Sequence, residues 1–482
     1  MVLISPGKSK ENWVYIFMRY VENASSLSLK LNIPFRFYSI AVFNAILSSF
    51  QITFLPEFQL VCIFLLIVCR VNPETLLFFV IIVLCTSVYA IPDPILRAAS
   101  LDYPSIYTKG YSFVRLLDLL VVLLFLYALP KIRSCIIGGN VVLLYGVFFV
   151  SMFSLLFNSF FGVSDYGYFF FAVRNILIAA AFLLMLTRLS PDRIPSILVF
   201  SMFCWICKML SMIILPSDNV IEREIFGVPW KIFFAGDEYL SFMLICAAVL
   251  QIGCFFYRVD KLKRICYLMC FFALVLALVS QRKGAVPYFL FSFIMIFCFG
   301  RGFVCRVFFS LALIVYSLVI FVFSGLAFEL LPSGLMSSLT EYHLLYESAV
   351  SSLKHIINAS PFLSFFGVGP AGLYEVFNLP LEADHIFSFG VEVGERYRYA
   401  IWTLPLDRLF LNSGIVGVVL VAFYVLLALS RGAGSAYVYI SFSIIPLFGF
   451  YGLTPVSSIF VGFALYALMV QKTLEVSVQE AQ

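Results

Sequence analysis

Val307-Phe-Phe-Ser-Leu-Ala-Leu-Ile-Val-Tyr-Ser-Leu-Val-Ile-Phe-Val-Phe323 contains no charged residue and no Gly or Pro. It forms the heart of an apolar run over 303–325, long enough for a helix that spans a membrane, which takes about 20 mostly apolar residues. Working outward, comparable runs recur at 37–55, 57–70, 75–91, 112–130, 135–157, 168–187, 196–215, 239–257, 264–280, 284–300, 409–430, 434–450 and 455–471. The predicted fold is therefore all-α: a polytopic integral membrane protein with about 14 transmembrane helices. The run at 57–70 is short and is a candidate for half of a re-entrant pair.

Composition leads to the same class. Of 482 residues, 63% are hydrophobic, 18% aromatic and 12% charged, with 56 Phe. Soluble domains hold about 25% charged residues, and too few charges are present here to cover a water-exposed surface. The net charge of +5 comes from dispersed residues with no basic tract, which disfavours nucleic acid as a partner. All twelve Cys lie in or beside apolar runs, so no disulfide framework is expected, and Cys204-Trp-Ile-Cys207 reads as membrane hydrophobes. Residues 1–36 are polar and basic and lack the short apolar core of a cleavable signal. Within them, Trp13-Val-Tyr-Ile-Phe-Met-Arg-Tyr20 suits an interfacial helix.

The basic residues set the sides. With residues 1–36 in the cytoplasm and strict alternation, the inner side holds 18 basic and 7 acidic residues, and the outer side 10 basic and 18 acidic. Five regions follow: a cytoplasmic or interfacial segment 1–36, helices 1–11 over 37–325, a large periplasmic loop 326–408, helices 12–14 over 409–471, and a cytoplasmic tail 472–482. No G-x-x-x-x-G-K-[ST] loop and no D-x-D pair occurs to hold a nucleotide or a nucleotide-sugar metal.

The chemistry-bearing residues gather on the outer side. All three His (His343, His355 and His385) fall in the large loop, at spacings that do not suit zinc. The loop opens with an amphipathic helical pattern over 336–357, then turns at Gly367-Val-Gly369-Pro370. Glu382, Asp384, His385, Glu392, Glu395, Arg396, Arg398, Asp407 and Arg408 follow, and Gly414-Ile-Val-Gly417 opens the twelfth apolar run. Arg115, Arg174 and Lys208 stand inside apolar runs, where a charge is expensive. Arg174 is placed to reach a polar cavity open to the outside. Arg115 and Asp118, three residues apart, are expected to pair. Ser280-Gln-Arg-Lys-Gly284 joins two runs on the outer side, so Arg282 and Lys283 contravene the positive-inside pattern. An anionic ligand such as a lipid pyrophosphate accounts for them there, the Arg as a bidentate fork and the Lys as a point charge.

Together these features resemble the O-antigen polymerase and ligase superfamily of bacterial surface polysaccharide assembly, and within it the Wzy-type polymerases. The resemblance rests on the many apolar runs with one large late outer loop. It rests also on Ser280-Gln-Arg-Lys-Gly-Ala285, similar to the family's Ser-Arg-x-Ala turn, and on Gly367-Val-Gly-Pro370 and Gly414-Ile-Val-Gly417. The histidine that ligases carry before the Gly-x-x-Gly start is replaced here by Thr403, which favours a polymerase. The resemblance implies a GT-C-like, metal-independent glycosyltransferase of the inner membrane that uses no cofactor. It would join oligosaccharide repeat units carried on undecaprenyl pyrophosphate into O-antigen, beside a chain-length regulator and a flippase of the same pathway. Arg282, His385 and Asp407 are the candidate catalytic residues. Arg174, Lys283, Arg396, Arg398 and Arg408 are the candidates for substrate binding. The alternatives are an O-antigen ligase acting on lipid A core and a flippase or transporter of lipid-linked oligosaccharide.

Overall fold

The computed structural model describes residues 33–87, 105–107, 109–111, 114–128, 166–189, 193–214, 220–225, 228–233, 360–367, 392–393, 396–397 and 413–420, with single positions and short groups between 264 and 272 and at 358, 410 and 458–466. These residues are mostly helical. The helices are α1 (Phe35–Ser49), α2 (Leu55–Val68), α3 (Pro73–Thr86), α4 (Leu116–Ala128), α5 (Tyr166–Leu186), α6 (Ile194–Ile214) and a short α7 (Pro361–Phe366). Among the described residues, no helix is long and apolar enough to cross a membrane. Each of α1–α4 has 13 to 15 residues. The backbones of α5 and α6 extend over 21 residues, about 31 Å at the rise of an α-helix.

The all-α expectation needs amending. Among the described residues, three two-stranded antiparallel ribbons accompany the helices: β1 (Gly110–Tyr111) with β2 (Val114–Arg115), β3 (Val220–Ile225) with β4 (Val228–Phe233), and β5 (Glu392–Val393) with β6 (Arg396–Tyr397). They fall in or at the edge of the stretches assigned to outer loops. There, alternating and β-branched residues such as Val220-Ile-Glu-Arg-Glu-Ile225 favour extended pairing over helix. The first ribbon also moves the start of the fourth helix from 112 to Leu116.

Local signals fix the helix limits. Asn72 caps α3 by accepting the Glu74 N–H at 3.0 Å, with Pro73 in the first turn. Pro56 occupies the first turn of α2 in the same way. Gln51 and Arg70 adopt positive φ just after α1 and α2 and turn the chain back sharply.

Two apolar helices meet different fates. α3 is central: Leu76, Leu77, Phe78 and every residue from Val80 to Thr86 are buried, as befits a helix apolar on all sides. α2 is equally apolar, yet Phe54, Phe58, Val61, Leu65 and Val68 form an exposed stripe at helical spacing along its length, while Leu55, Gln59 and Ile63 face inward.

The cross-helix contacts sort into two ends. At one, the rings of Phe37, Phe78 and Phe200 join α1, α3 and α6 with centroids 5.1 Å apart. Glu74 pairs there with Arg193 at 3.5 Å, Tyr127 bonds the Val71 carbonyl, Arg188 lies over the Tyr127 ring, and Tyr466 bonds the Leu189 carbonyl. At the other, Ser49 meets Ser211, Lys208 bonds the Ser87 carbonyl, Tyr107 bonds the Leu84 carbonyl, and Lys109 pairs with Glu57. Each group draws together residues at or near helix ends.

Candidate functional site

Among the described residues, Arg174 and Lys208 are the charged side chains buried among the helices. Asp118 occupies the third position of α4. Its Oδ2 accepts the backbone N–H of Arg115, the residue before the helix, at 2.8 Å, which is the return half of a capping box. The same carboxylate receives the Arg174 guanidinium from α5 edge-on. Arg174 Nε donates to Oδ1 at 2.5 Å and Nη2 to Oδ2 at 2.7 Å. The Arg174 side chain is 4% exposed and that of Asp118 21%. A fork of two charge-assisted bonds is the geometry in which a carboxylate best holds an arginine.

This corrects the expected pairing of Arg115 with Asp118. Arg115 supplies its backbone N–H to the carboxylate, while its guanidinium Nη1 donates to the Tyr107 carbonyl at 3.0 Å. The partner that sequence reasoning missed is Arg174. The signal was present, since Asp118 and Arg174 each stand six residues after the start of their apolar runs, 112 and 168. Opposite charges at one depth in two apolar helices have strong cause to meet.

Lys208, the third internal cation, is fully buried on α6. Its Nζ donates to the Ser87 carbonyl at the C-terminus of α3 at 2.6 Å and stands 4.9 Å from the centre of the Trp205 ring. A cation at a helix C-terminus answers the partial negative charge there. Lys208 is thereby tied into the packing of α3 on α6. Beside it runs a buried amide and hydroxyl chain that the charge-led reading passed over. Gln59 Nε2 donates to Asn44 Oδ1 at 3.0 Å, and Asn44 Nδ2 donates to Thr86 Oγ1 at 2.6 Å, linking α2, α1 and α3. An Asn and a Gln within apolar runs are the sequence signal for such bonds.

The end of α7 meets the second glycine motif at Gly414. α7 begins at its Ser360 cap, whose Oγ accepts the Phe362 N–H, and ends at Gly367, where φ is 72°. Gly414, in the helical residues 413–420, has φ of 60°. A Cβ on Gly414 would fall 2.3 Å from the carbonyl carbon and oxygen of Phe365. Only glycine allows that backbone angle and that approach. The last turn of α7 is therefore seated on the start of the helical residues 413–420.

Of the other candidates, Arg396 lies in β6, paired with Val393 of β5. Arg282, Lys283, His385, Arg398, Asp407 and Arg408 lie outside the described residues, as does the opening stretch Val307–Phe323. Among the described residues, no group of three or more His, Cys, Asp or Glu is arranged to hold a metal ion. The chain matches no family model, no curated protein and no solved structure.

Proposed function

We propose that this chain is a glycosyltransferase of the bacterial inner membrane, which polymerises undecaprenyl-pyrophosphate-linked repeat units into O-antigen on the periplasmic face. The observation that carries the reading is the Ser280-Gln-Arg-Lys-Gly-Ala285 turn, two cations at an outer boundary that positive-inside topology disfavours. The long polar loop 326–408 with all three His supports it, as does the contact of Phe365 with Gly414. The exposed apolar stripe of α2 supports the membrane setting, because a large apolar face left uncovered suits a hydrocarbon surround.

The reaction sets three requirements. The bond between the anomeric carbon of the donor glycan and its pyrophosphate oxygen breaks, and the electron pair leaves with undecaprenyl pyrophosphate. An acceptor hydroxyl oxygen on a second lipid-linked unit bonds that carbon, and its proton passes to a base. Arg282 and Lys283 suit the negative charge that grows on the leaving group. His385 or Asp407 supplies the base. Arg174, Arg396, Arg398 and Arg408 supply further positive charge toward the lipid-linked phosphates and the sugars.

A strain deleted for the gene provides the test. Its lipid A core should carry a single repeat unit, and the plasmid-borne chain should restore a ladder of lengths. Uncapped core with long lipid-linked chains would indicate a ligase, and complete absence of surface repeats a flippase. Either outcome would contradict the proposal.

A further inference from the structure

We infer that Arg188, laid on the ring of Tyr127, forms a binding site for a phosphate group where the ends of α4 and α5 meet the turn before α3. This site stands apart from the polymerase reading. Arg188 follows the last turn of α5, and its backbone N–H donates to the Met185 carbonyl at 3.1 Å. Its guanidinium carbon stands 4.3 Å from the centre of the Tyr127 ring, near the C-terminus of α4. The Tyr127 hydroxyl donates to the Val71 carbonyl at 3.3 Å, so the ring that carries the arginine is itself tethered. The Arg188 side chain is half-buried, and its Nε is shut away without a hydrogen-bond partner. Among the described residues, no carboxylate pairs with it. Glu74, three residues after Val71, is engaged by Arg193 at 3.5 Å instead. The Arg188 charge is thus held in place by a ring face and left uncompensated. A guanidinium stacked flat keeps its in-plane N–H groups for oxygens at its edge. Two Nη groups side by side match two oxygens of one phosphate as a planar fork, and a partly desolvated cation attracts an anion more strongly than a hydrated one. The charge distribution of the sequence expects residues 188–193 on the cytoplasmic side, where the leaflet concentrates anionic phosphate headgroups. That setting selects phosphate among the anions a guanidinium can clamp.

The test uses the full chain purified in a neutral detergent. Its melting temperature is followed against added phosphatidylglycerol, diacylglycerol and inorganic phosphate. The unaltered chain should melt higher as phosphatidylglycerol is raised, as mass action requires of a ligand that binds the folded state. Diacylglycerol, which has the acyl chains without the phosphate, should leave it unmoved. Arg188→Gln should weaken phosphatidylglycerol binding by about tenfold or more, the scale of one charge-assisted contact. Arg188→Lys should fall between the two, since it keeps the charge and loses the fork, and it carries the test alone if Arg188→Gln does not fold. A purely structural role for Arg188 would lower the melting temperature without ligand and leave the ligand-induced rise intact. A rise with inorganic phosphate that the same variants lose would make the phosphate group alone the ligand. A rise with the lipid alone would make the lipid headgroup its source. Either result supports the site. An equal rise in the unaltered chain and the variants, an equal response to diacylglycerol, or no response to any probe would overturn it.

Discussion

Arg282 carries the heaviest chemical demand in this account. Arg282→Ala should abolish chain growth at unchanged membrane level, and Arg282→Lys should restore little, since a point charge cannot clamp two pyrophosphate oxygens as a planar fork does. Loss of one charge-assisted contact should weaken donor binding by roughly 1.5–3 kcal/mol, and the loss in rate should exceed that as the leaving group gains charge. Chain-length profiles of surface glycan at matched expression check both variants. Lys208→Met is the contrast. It removes the hydrogen bond to the Ser87 carbonyl and the cation–ring contact with Trp205, so the protein should melt at lower temperature while still making polymer. At this scale the sequence showed where charges enter apolar runs better than whom they meet. Arg174, Lys208 and Asp118 stood out as charges in apolar runs, but hydropathy carries no information about which helix faces which. Asp118 was therefore paired with its sequence neighbour Arg115 instead of Arg174 across the bundle.

Among the elements, the glycine junction makes the sharpest demand on structure. Gly414→Ala places a methyl group against the Phe365 carbonyl at a backbone angle that alanine resists. It should destabilise the fold by about 2 kcal/mol or more, read as a lower melting temperature of the purified protein. The Asn72→Ala change removes a single cap from α3 and should cost about 1 kcal/mol. Helix positions were legible because apolar runs bounded by Pro, Asn and Gly leave little choice. α1, α2 and α3 fall inside the expected 37–55, 57–70 and 75–91 to within a few residues. The ribbons were not legible. Short stretches between long apolar runs, such as Val220–Phe233, were read as loops, and strand pairing depends on a partner that a run-by-run reading does not seek. The burial of α3 against the exposure of α2 was hidden for a similar reason, since both are apolar all round and differ only in their neighbours.

For the whole molecule, sidedness and chemistry stand or fall together. Reporter fusions after residues 131, 188, 260 and 431 should report the cytoplasm, and fusions near 350 and 390 the outside. Two or more reversed fusions would break the assignment and remove the outer-face reaction with it. The measurement that bears most directly on the central claim is polymerisation by the purified chain in proteoliposomes. These would be supplied only with undecaprenyl-pyrophosphate-linked repeat units extracted from the deletion strain, without nucleotide sugar or added metal. The account predicts a ladder of lipid-linked glycans, each step longer by one repeat, with release of undecaprenyl pyrophosphate. Lipid-linked units that remain single in the presence of the correctly inserted chain would contradict it.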